Sequence, residues 1–208
     1  LGVTDKKEYL NNIVNSYLLK DILTIDGIRN ASKMLDLLRL IAFQTGNLVA
    51  YDELGKQLGM SKNTEEKYLD LLSKVFVIYK LGAFSKNLRK EISKSSKWYF
   101  YDNGIRNALI GNYAPLALRN DVGQLWESYI ISERMKCTSY NLQDTSYYFW
   151  RTYAGQELDF LEIHENKIQA FECKWNTTKG KIPSAFAHAY PEAQFSVITQ
   201  DNYLEFIG

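Results

Sequence analysis

The segments Gly155-Gln156-Glu157-Leu158-Asp159-Phe160 and Ala170-Phe171-Glu172-Cys173-Lys174-Trp175 decide how the second half of this chain folds. Both alternate polar and apolar residues with the period of two that is typical of a β-strand. The alternation places Glu172 and Lys174 on one strand face, and Asp159 can lie on the adjacent strand. We therefore expect two carboxylates and one ammonium close together. A Mg²⁺-dependent phosphodiesterase needs such a set, because carboxylate oxygens bind the ion and a lysine orients the attacking water.

The composition is that of an ordinary globular protein. Of the 208 residues, 46% are hydrophobic and 24% are charged, and no apolar run approaches the length of a membrane span. The two cysteines have no metal-type spacing, which suits a reducing cytoplasm. Residues 1–100 carry 16 basic and 11 acidic side chains, whereas residues 101–208 carry 9 and 13. A basic half beside an acidic half fits a nucleic-acid surface joined to a metal-binding or otherwise acidic one, and many proteins without either function share it.

The first half has the periodicity of a small helical domain. Apolar residues recur at helical spacing over residues 6–25, 31–44, 51–58 and 61–74, with Ser61 as an N-cap. The last two helices, joined by Gly59-Met60, predict a helix-turn-helix. Strands predicted at 75–79 and 98–101 would complete a winged helix over residues 31–104, after an N-terminal helical segment at 1–30.

A basic loop joins the two strands of the predicted wing. Over residues 86–97 it contains Lys86, Arg89, Lys90, Lys94 and Lys97 against Glu91 alone. Such a loop can bind the DNA backbone without reading sequence. The second helix of the helix-turn-helix, over residues 61–74, would be the recognition helix, and it adds Lys62 and Lys67. Its acidic residues, among them Glu65, Glu66 and Asp70, would repel phosphates, so a protein-binding role competes with DNA contact.

The second half predicts a separate domain over residues 122–208. A helix over 122–136 is followed by strands at 146–151, 158–164 and 167–174, a helix or loop over 178–190 and a strand at 195–199. A Glu165-Asn166 turn favours a hairpin between the second and third strands. The order is α-β-β-β-α-β, so the whole chain is expected to be α/β.

This order, with Glu-Leu-Asp on one strand and Glu-Cys-Lys on the next, resembles the core of the PD-(D/E)xK, or restriction-endonuclease-like, superfamily. The whole chain resembles the C-terminal module of bacterial and archaeal AAA+ ATPases, in which a P-loop domain precedes a winged helix and a nuclease-like domain. The segments that carry this resemblance are Tyr17-Leu18-Leu19-Lys20-Asp21-Ile22, Tyr68-Leu69-Asp70-Leu71-Leu72, Lys97-Trp98-Tyr99-Phe100-Tyr101-Asp102-Asn103-Gly104, Gly123-Gln124-Leu125-Trp126-Glu127 and Tyr148-Phe149-Trp150-Arg151.

The resemblance implies roles for particular residues and for an absent partner. Asp159, Glu172 and Lys174 match the superfamily's signature positions, and Glu127 matches an acidic residue of its first helix. Asp159, Glu172 and the Cys173 backbone carbonyl would hold Mg²⁺. The sequence contains no G-x-x-x-x-G-K-[ST] motif. ATP binding is therefore expected in a P-loop domain upstream of this chain, which we interpret as a fragment of a longer protein.

The sequence leaves three functions open. The first is a DNA-interacting module that cuts DNA with Mg²⁺, and the second is a non-catalytic regulatory or oligomerisation module of an ATPase. The third is a transcription factor. Within the site, Glu157 shares strand parity with Asp159, and we expect it to be an exposed charge at the start of its strand.

Overall fold

The computed structural model describes residues 5–16, 30–86, 95–177 and 179–208. The segment Tyr17 to Ile22 and the predicted DNA-binding residues Arg89, Lys90 and Lys94 lie outside these ranges. The chain divides into two compact units that interleave in sequence. Unit 1 contains residues 1–80 and 98–119, and unit 2 contains residues 81–97 and 120–208.

The described residues form helices and one mixed sheet, so the prediction of an α/β protein is confirmed. The helices are α1 (Lys6–Ile13), α2 (Ala31–Phe43), α3 (Tyr51–Leu58), α4 (Lys62–Lys74), α5 (Asn103–Ile110), α6 (Val122–Tyr140), α7 (Ser184–Ala189) and α8 (Tyr203–Ile207). The strands are β1 (Ile78–Ala83), β2 (Ser96–Phe100), β3 (Ser146–Arg151), β4 (Glu157–His164), β5 (Lys167–Cys173) and β6 (Gln194–Ile198). Among the described residues, no helix is long and apolar enough to cross a membrane.

Unit 1 packs its helices around an apolar core to which α2 and α4 contribute much. The side chains of Leu37, Ile41 and Leu72 are fully buried there. The predicted turn between α3 and α4 is present. Gly59 adopts the left-handed conformation that ends α3, and the Ser61 hydroxyl accepts the Thr64 N–H at the start of α4.

The strand predicted at residues 75–79 begins later than expected. Val75 caps the C-terminus of α4, and Phe76 has a φ of 57°, so β1 starts only at Ile78. The apolar run of residues 75–79 therefore spans a helix end and a strand start, which periodicity alone does not separate. At the other side of the loop, β2 starts at Ser96 and includes Lys97. Lys97 is therefore a strand residue, and its assignment to the basic loop was wrong.

The sheet has the order β2-β1-β3-β4-β5-β6. β3, β4 and β5 are antiparallel neighbours, whereas β1 pairs with β3 and β5 pairs with β6 in parallel. Glu165 and Asn166 both have positive φ in the predicted two-residue hairpin turn between β4 and β5. Trp150, Leu158 and Leu161 are fully buried in the apolar cluster of this unit.

The two strands of the expected wing belong to this sheet. In β1, Gly82 and Ala83 pair with Tyr148 and Phe149 of β3. An isolated two-stranded hairpin is marginally stable and leaves its edges unpaired, and the parallel pairing with β3 removes one of those edges. The sequence placed both strands in a separate domain ending at residue 104, whereas residues 81–97 group with unit 2.

Candidate functional site

The β4–β5 hairpin positions the first pair of predicted site residues. Phe160 of β4 pairs with Phe171 of β5, and the same antiparallel register continued by one residue brings Asp159 opposite Glu172. Residues directly opposite in an antiparallel pair point to the same face of the sheet. The Asp159 carboxyl Oδ2 accepts the backbone N–H of Cys173 at 2.9 Å. Asp159 is therefore held against Cys173 at the end of β5, and Cys173 lies between Glu172 and Lys174 in sequence.

The environment of Asp159 disfavours its charged form. Burial raises the pKa of the Asp159 carboxyl to about 7, and the negative charge of Glu127 acts in the same direction. The Lys97 ammonium and the Cys173 N–H oppose the rise. A carboxyl in this state gains most from a nearby cation, because a cation compensates both the burial and the repulsion.

Glu172 and Lys174 form a direct ion pair at the end of β5. The Lys174 Nζ lies 2.6 Å from the Glu172 Oε1, and 36% of the Lys174 side chain is exposed. Burial alone would lower the pKa of the Lys174 ammonium, but its hydrogen bond to Glu172 raises that pKa above the ordinary value. Lys174 is therefore a charged, partly accessible group beside the carboxylates.

Cys173 lies between these two residues in sequence, but its side chain is buried and carries no charge. Its side chain is buried, and burial raises the pKa of the thiol well above its ordinary value. A buried neutral thiol is a weak nucleophile. The structure therefore supports a packing role for the Cys173 side chain.

Glu127 contacts a residue that sequence reasoning missed. The Lys97 Nζ lies 3.5 Å from the Glu127 Oε1 and also forms an ion pair with the Glu157 Oε1. Only 3% of the Lys97 side chain is exposed, and its Nζ lies 5.4 Å from the centre of the Phe149 ring. Burial alone would lower the pKa of Lys97, but Glu127 and Glu157 raise it above its ordinary value.

The sequence carried a signal for Lys97. It precedes the unbroken aromatic run Trp98-Tyr99-Phe100-Tyr101, which is typical of a buried strand. Lysines are almost never fully buried unless they are paired. A lysine at the start of such a run therefore predicts an acidic partner elsewhere in the chain.

Glu157 does not have the exposed position that the sequence suggested. Its side chain is 23% exposed and lies between two cations. Its Oε1 pairs with Lys97, and its Oε2 lies 2.5 Å from the Arg151 Nη1 on the neighbouring strand. Both carboxylate oxygens of Glu157 are thus occupied by side chains of this protein.

The donor set suits a hard cation only in part. Asp159, Glu172 and the Cys173 carbonyl offer oxygen atoms, which are the ligands that Mg²⁺ prefers. Among the described residues, however, no three His, Cys, Asp or Glu side chains converge as a ready-made metal site. Glu127 faces the buried Lys97, so the carboxylates that remain for an ion are those of Asp159 and of Glu172, whose partner Lys174 is partly exposed.

The predicted DNA-binding lysines that the structure describes lie in both units. Lys62 and Lys67 are exposed on α4, and the Lys62 Nζ lies 4.0 Å from the Glu66 Oε1. In unit 2, the Lys86 backbone N–H donates to the Tyr190 hydroxyl, and the Lys86 Nζ lies 5.9 Å from the centre of the Tyr190 ring. Lys86 is therefore at least partly engaged within its own unit.

Sequence comparison assigns the first part of the chain to a family. The profile of a domain of unknown function (DUF8612) matches residues 3–116, which is more than half of the chain. The chain belongs to the DUF8612 family. This DUF8612 protein also matches, over residues 122–207, a second domain of unknown function (DUF4143), which is usually associated with AAA ATPases.

The curated relatives of this chain are described as uncharacterised proteins. Proteins of Mycobacterium bovis and Mycobacterium tuberculosis are each 27% identical over 177 residues, which are 84% of this chain and 39% of the relative. A protein of Haemophilus influenzae is 29% identical over 118 residues, 52% of this chain and 30% of the relative. The chain thus spans less than half the length of these relatives. No solved structure matches it.

Proposed function

We propose that this chain is a DNA-interacting module of a AAA ATPase whose unit 2 is a restriction-endonuclease-like, Mg²⁺-dependent phosphodiesterase. The observation that carries the proposal is the hydrogen bond from the Cys173 N–H to Asp159. It brings a carboxylate of β4 to the end of β5, where Glu172 and Lys174 already form an ion pair. These are the three residue types that metal-assisted phosphodiester hydrolysis requires.

Each residue of the trio has a proposed task. Asp159, Glu172 and the Cys173 carbonyl would hold Mg²⁺, which stabilises charge on a phosphate and acidifies a water when bound. The Lys174 ammonium, hydrogen-bonded to Glu172, orients the attacking water and offers positive charge to the phosphate. The raised pKa of Asp159 fits this role, because a carboxyl repelled by its neighbours gains from a divalent cation.

The remaining parts of the proposal concern partners. DNA contact is supported by the excess of basic residues in the first 100 residues and by the exposure of Lys62 and Lys67. An upstream P-loop ATPase domain is supported by the match to DUF4143, usually associated with AAA ATPases, and by the greater length of the relatives. ATP would bind to that domain, outside this chain.

The test is metal-dependent cleavage of linear, supercoiled and branched DNA. We expect cleavage with Mg²⁺ and a loss of about 100-fold or more in Asp159→Ala and in Lys174→Met, because one removes a metal ligand and the other a water-orienting group. Gel electrophoresis of the products at several Mg²⁺ concentrations measures it.

The same two substitutions, made at an exposed aspartate and an exposed lysine, serve as controls. Asp144 is exposed, and the Lys167 side chain is 82% exposed, so Asp144→Ala and Lys167→Met should cut like the wild type. Equal cleavage by the wild type and by the Asp159 and Lys174 variants would mean that the activity does not come from this site.

A second candidate is a non-catalytic module that regulates or assembles the ATPase. It is favoured by the placement of Lys97, whose buried ammonium already neutralises Glu127 and Glu157. If this candidate is correct, no variant cleaves DNA. DNA affinity is then weak and does not change on charge reversal at Lys62 and Lys67. If the first candidate is correct, DNA affinity falls steeply with salt concentration, and charge reversal at these lysines reduces that dependence.

A further inference from the structure

The Lys97 side chain is buried and makes two ion pairs and a cation–π contact. It lies on β2, and its side chain meets one carboxylate of α6, Glu127, and one of β4, Glu157. The Phe149 ring lies beneath the ammonium at 5.4 Å, close enough for a cation–π contact. The side chain is 3% exposed, so water does little to solvate the charge.

The three charged groups depend on one another. A buried ammonium is unfavourable without acidic partners, and buried carboxylates are unfavourable without a cation. Glu127 and Glu157 are only 15% and 23% exposed. Lys97 therefore supplies the positive charge that these two acids need in the folded protein.

The same contacts leave little room for a metal ion at these acids. Mg²⁺ must approach carboxylate oxygens to about 2.1 Å. Lys97 contacts one oxygen of Glu127 and one of Glu157, and Arg151 lies 2.5 Å from the other oxygen of Glu157. A divalent ion bound to Glu157 would have to displace a cation of the protein and would be repelled by it.

Lys174 contrasts with Lys97 in this respect. It is 36% exposed and pairs with a single carboxylate, so it can move toward a substrate. Asp159 accepts a hydrogen bond from the Cys173 backbone N–H, and the Lys97 charge acts on it without a direct ion pair. Glu127 and Glu157 are therefore paired with a buried cation of the protein, whereas the cation beside Asp159 and Glu172 is the partly exposed Lys174.

We propose that Lys97 is the resident cation of Glu127 and Glu157 and replaces a second metal ion, so that the site binds one divalent ion at Asp159 and Glu172. This inference rests on the proposed function for the ion at Asp159 and Glu172. The role of Lys97 itself is that of a positioning residue. It fixes Glu127 and Glu157 beside the reacting groups and excludes these acids from metal binding.

The test measures Mn²⁺ binding by isothermal titration calorimetry on the full chain. The wild type should bind one ion. Lys97→Met should gain a second ion, because Glu127 and Glu157 both lose the Lys97 ammonium. Mn²⁺ should then raise the melting temperature of the variant more than that of the wild type. An unchanged stoichiometry and an unchanged melting shift in Lys97→Met would overturn the proposal.

A second set of variants keeps Lys97 and so avoids the unpaired acids. Asp159→Asn should weaken Mn²⁺ binding about 100-fold or more, whereas Glu127→Gln should weaken it about tenfold or less, through long-range charge alone. Equal losses in the two variants would identify Glu127 as a metal ligand and overturn the inference.

The outcomes separate the inference from the proposed function. If the wild type binds no ion and Lys97→Met binds one, the metal site at Asp159 is wrong and the role of Lys97 stands. If the wild type binds two ions, one of them lost in Glu127→Gln, the proposed metal-dependent function survives and the inference fails. If no variant binds an ion, both fail.

Discussion

At the scale of single residues, Glu65 is an acidic side chain in an environment that disfavours its charged form. Its side chain is fully buried on α4, and neither carboxylate oxygen has a hydrogen-bond partner among the described residues. Burial raises the pKa of Glu65 from 4.5 to about 7, and the charges of Asp52 and Glu66 add to the rise. Between pH 4.5 and about 7, the folded protein therefore binds a proton at Glu65 that the unfolded chain has released.

This shift predicts a pH dependence of stability. Because the pKa is higher in the folded state, the stabilisation is complete below pH 4.5 and decreases as the pH rises from 4.5 to about 7. Glu65→Gln, which carries no charge, should unfold with a free energy on the order of 1 to 3 kcal/mol above the wild type at pH 8 and without that advantage at pH 4. Urea denaturation at both pH values measures it. Glu192→Gln removes an exposed glutamate that does not act on Glu65, and it should show no such difference. A pH-independent effect of Glu65→Gln would contradict the shift.

The position of a single residue could be predicted from the sequence where it follows strand alternation or helical periodicity. The grouping of Asp159, Glu172 and Lys174 follows from strand alternation and a recognisable hairpin turn, and the structure brings these residues to one place. Glu65 lies three, four and seven residues before Tyr68, Leu69 and Leu72, a spacing that matches the buried stripe of α4. The interpretation of Glu65 as an acid that faces a nucleic acid was wrong, because its side chain is buried. The contacts of Lys97 with α6 and β4 could not be predicted, because they join residues distant in sequence.

At the scale of elements, Arg134 joins α6 to β4 and α8. Its Nε and Nη2 donate to the two carboxylate oxygens of Glu162 at 2.7 and 2.9 Å, and its Nη1 donates to the Phe206 carbonyl at 2.8 Å. The Glu162 side chain is 4% exposed. This bidentate pair uses the planar fork of arginine, which lysine does not offer.

Breaking this pair should be costly because it leaves a buried carboxylate without its cation. Arg134→Ala should lower the free energy of unfolding by about 3 to 5 kcal/mol. Arg39→Ala removes an exposed arginine whose Nη1 lies 3.4 Å from the Asp36 Oδ1, and it should cost less than about 1 kcal/mol. Chemical denaturation followed by circular dichroism measures both. A loss of similar size in the two variants would show that burial does not set the strength of the Arg134 pair.

Element boundaries were predictable where turn residues limit the strand. The ends of β3 to β6 lie within one residue of the predicted positions. The start of β1 was not predictable, because Val75, Phe76 and Val77 have high strand propensity but follow directly on α4 and are not in a strand. Tertiary packing at the end of that helix overrides local propensity.

At the scale of the whole molecule, the chain changes unit three times: it leaves unit 1 after residue 80, returns to it at residue 98 and leaves it again after residue 119. Residues 81–97 belong to unit 2 although they precede residues 98–119 of unit 1. The two family profiles meet between residues 116 and 122, near the last crossing only. Composition and turn signals are local, so they predicted a single boundary there and could not reveal the earlier exchange.

The interleaving predicts that the region matched by the DUF4143 profile is not an independent folding unit. Residues 120–208 alone lack Gly82, Ala83 and Phe84, which pair with β3, and they lack Lys97 between Glu127 and Glu157. An exposed edge of β3 and the loss of the Lys97 ammonium beside Glu127 and Glu157 should prevent cooperative thermal unfolding of this fragment. A chain in which residues 81–97 are joined by a Gly/Ser linker to residues 120–208 should unfold cooperatively, as measured by circular dichroism. If both fragments unfold with the same midpoint, residues 81–97 contribute nothing to unit 2, and the pairing of β1 with β3 is then not needed for its stability.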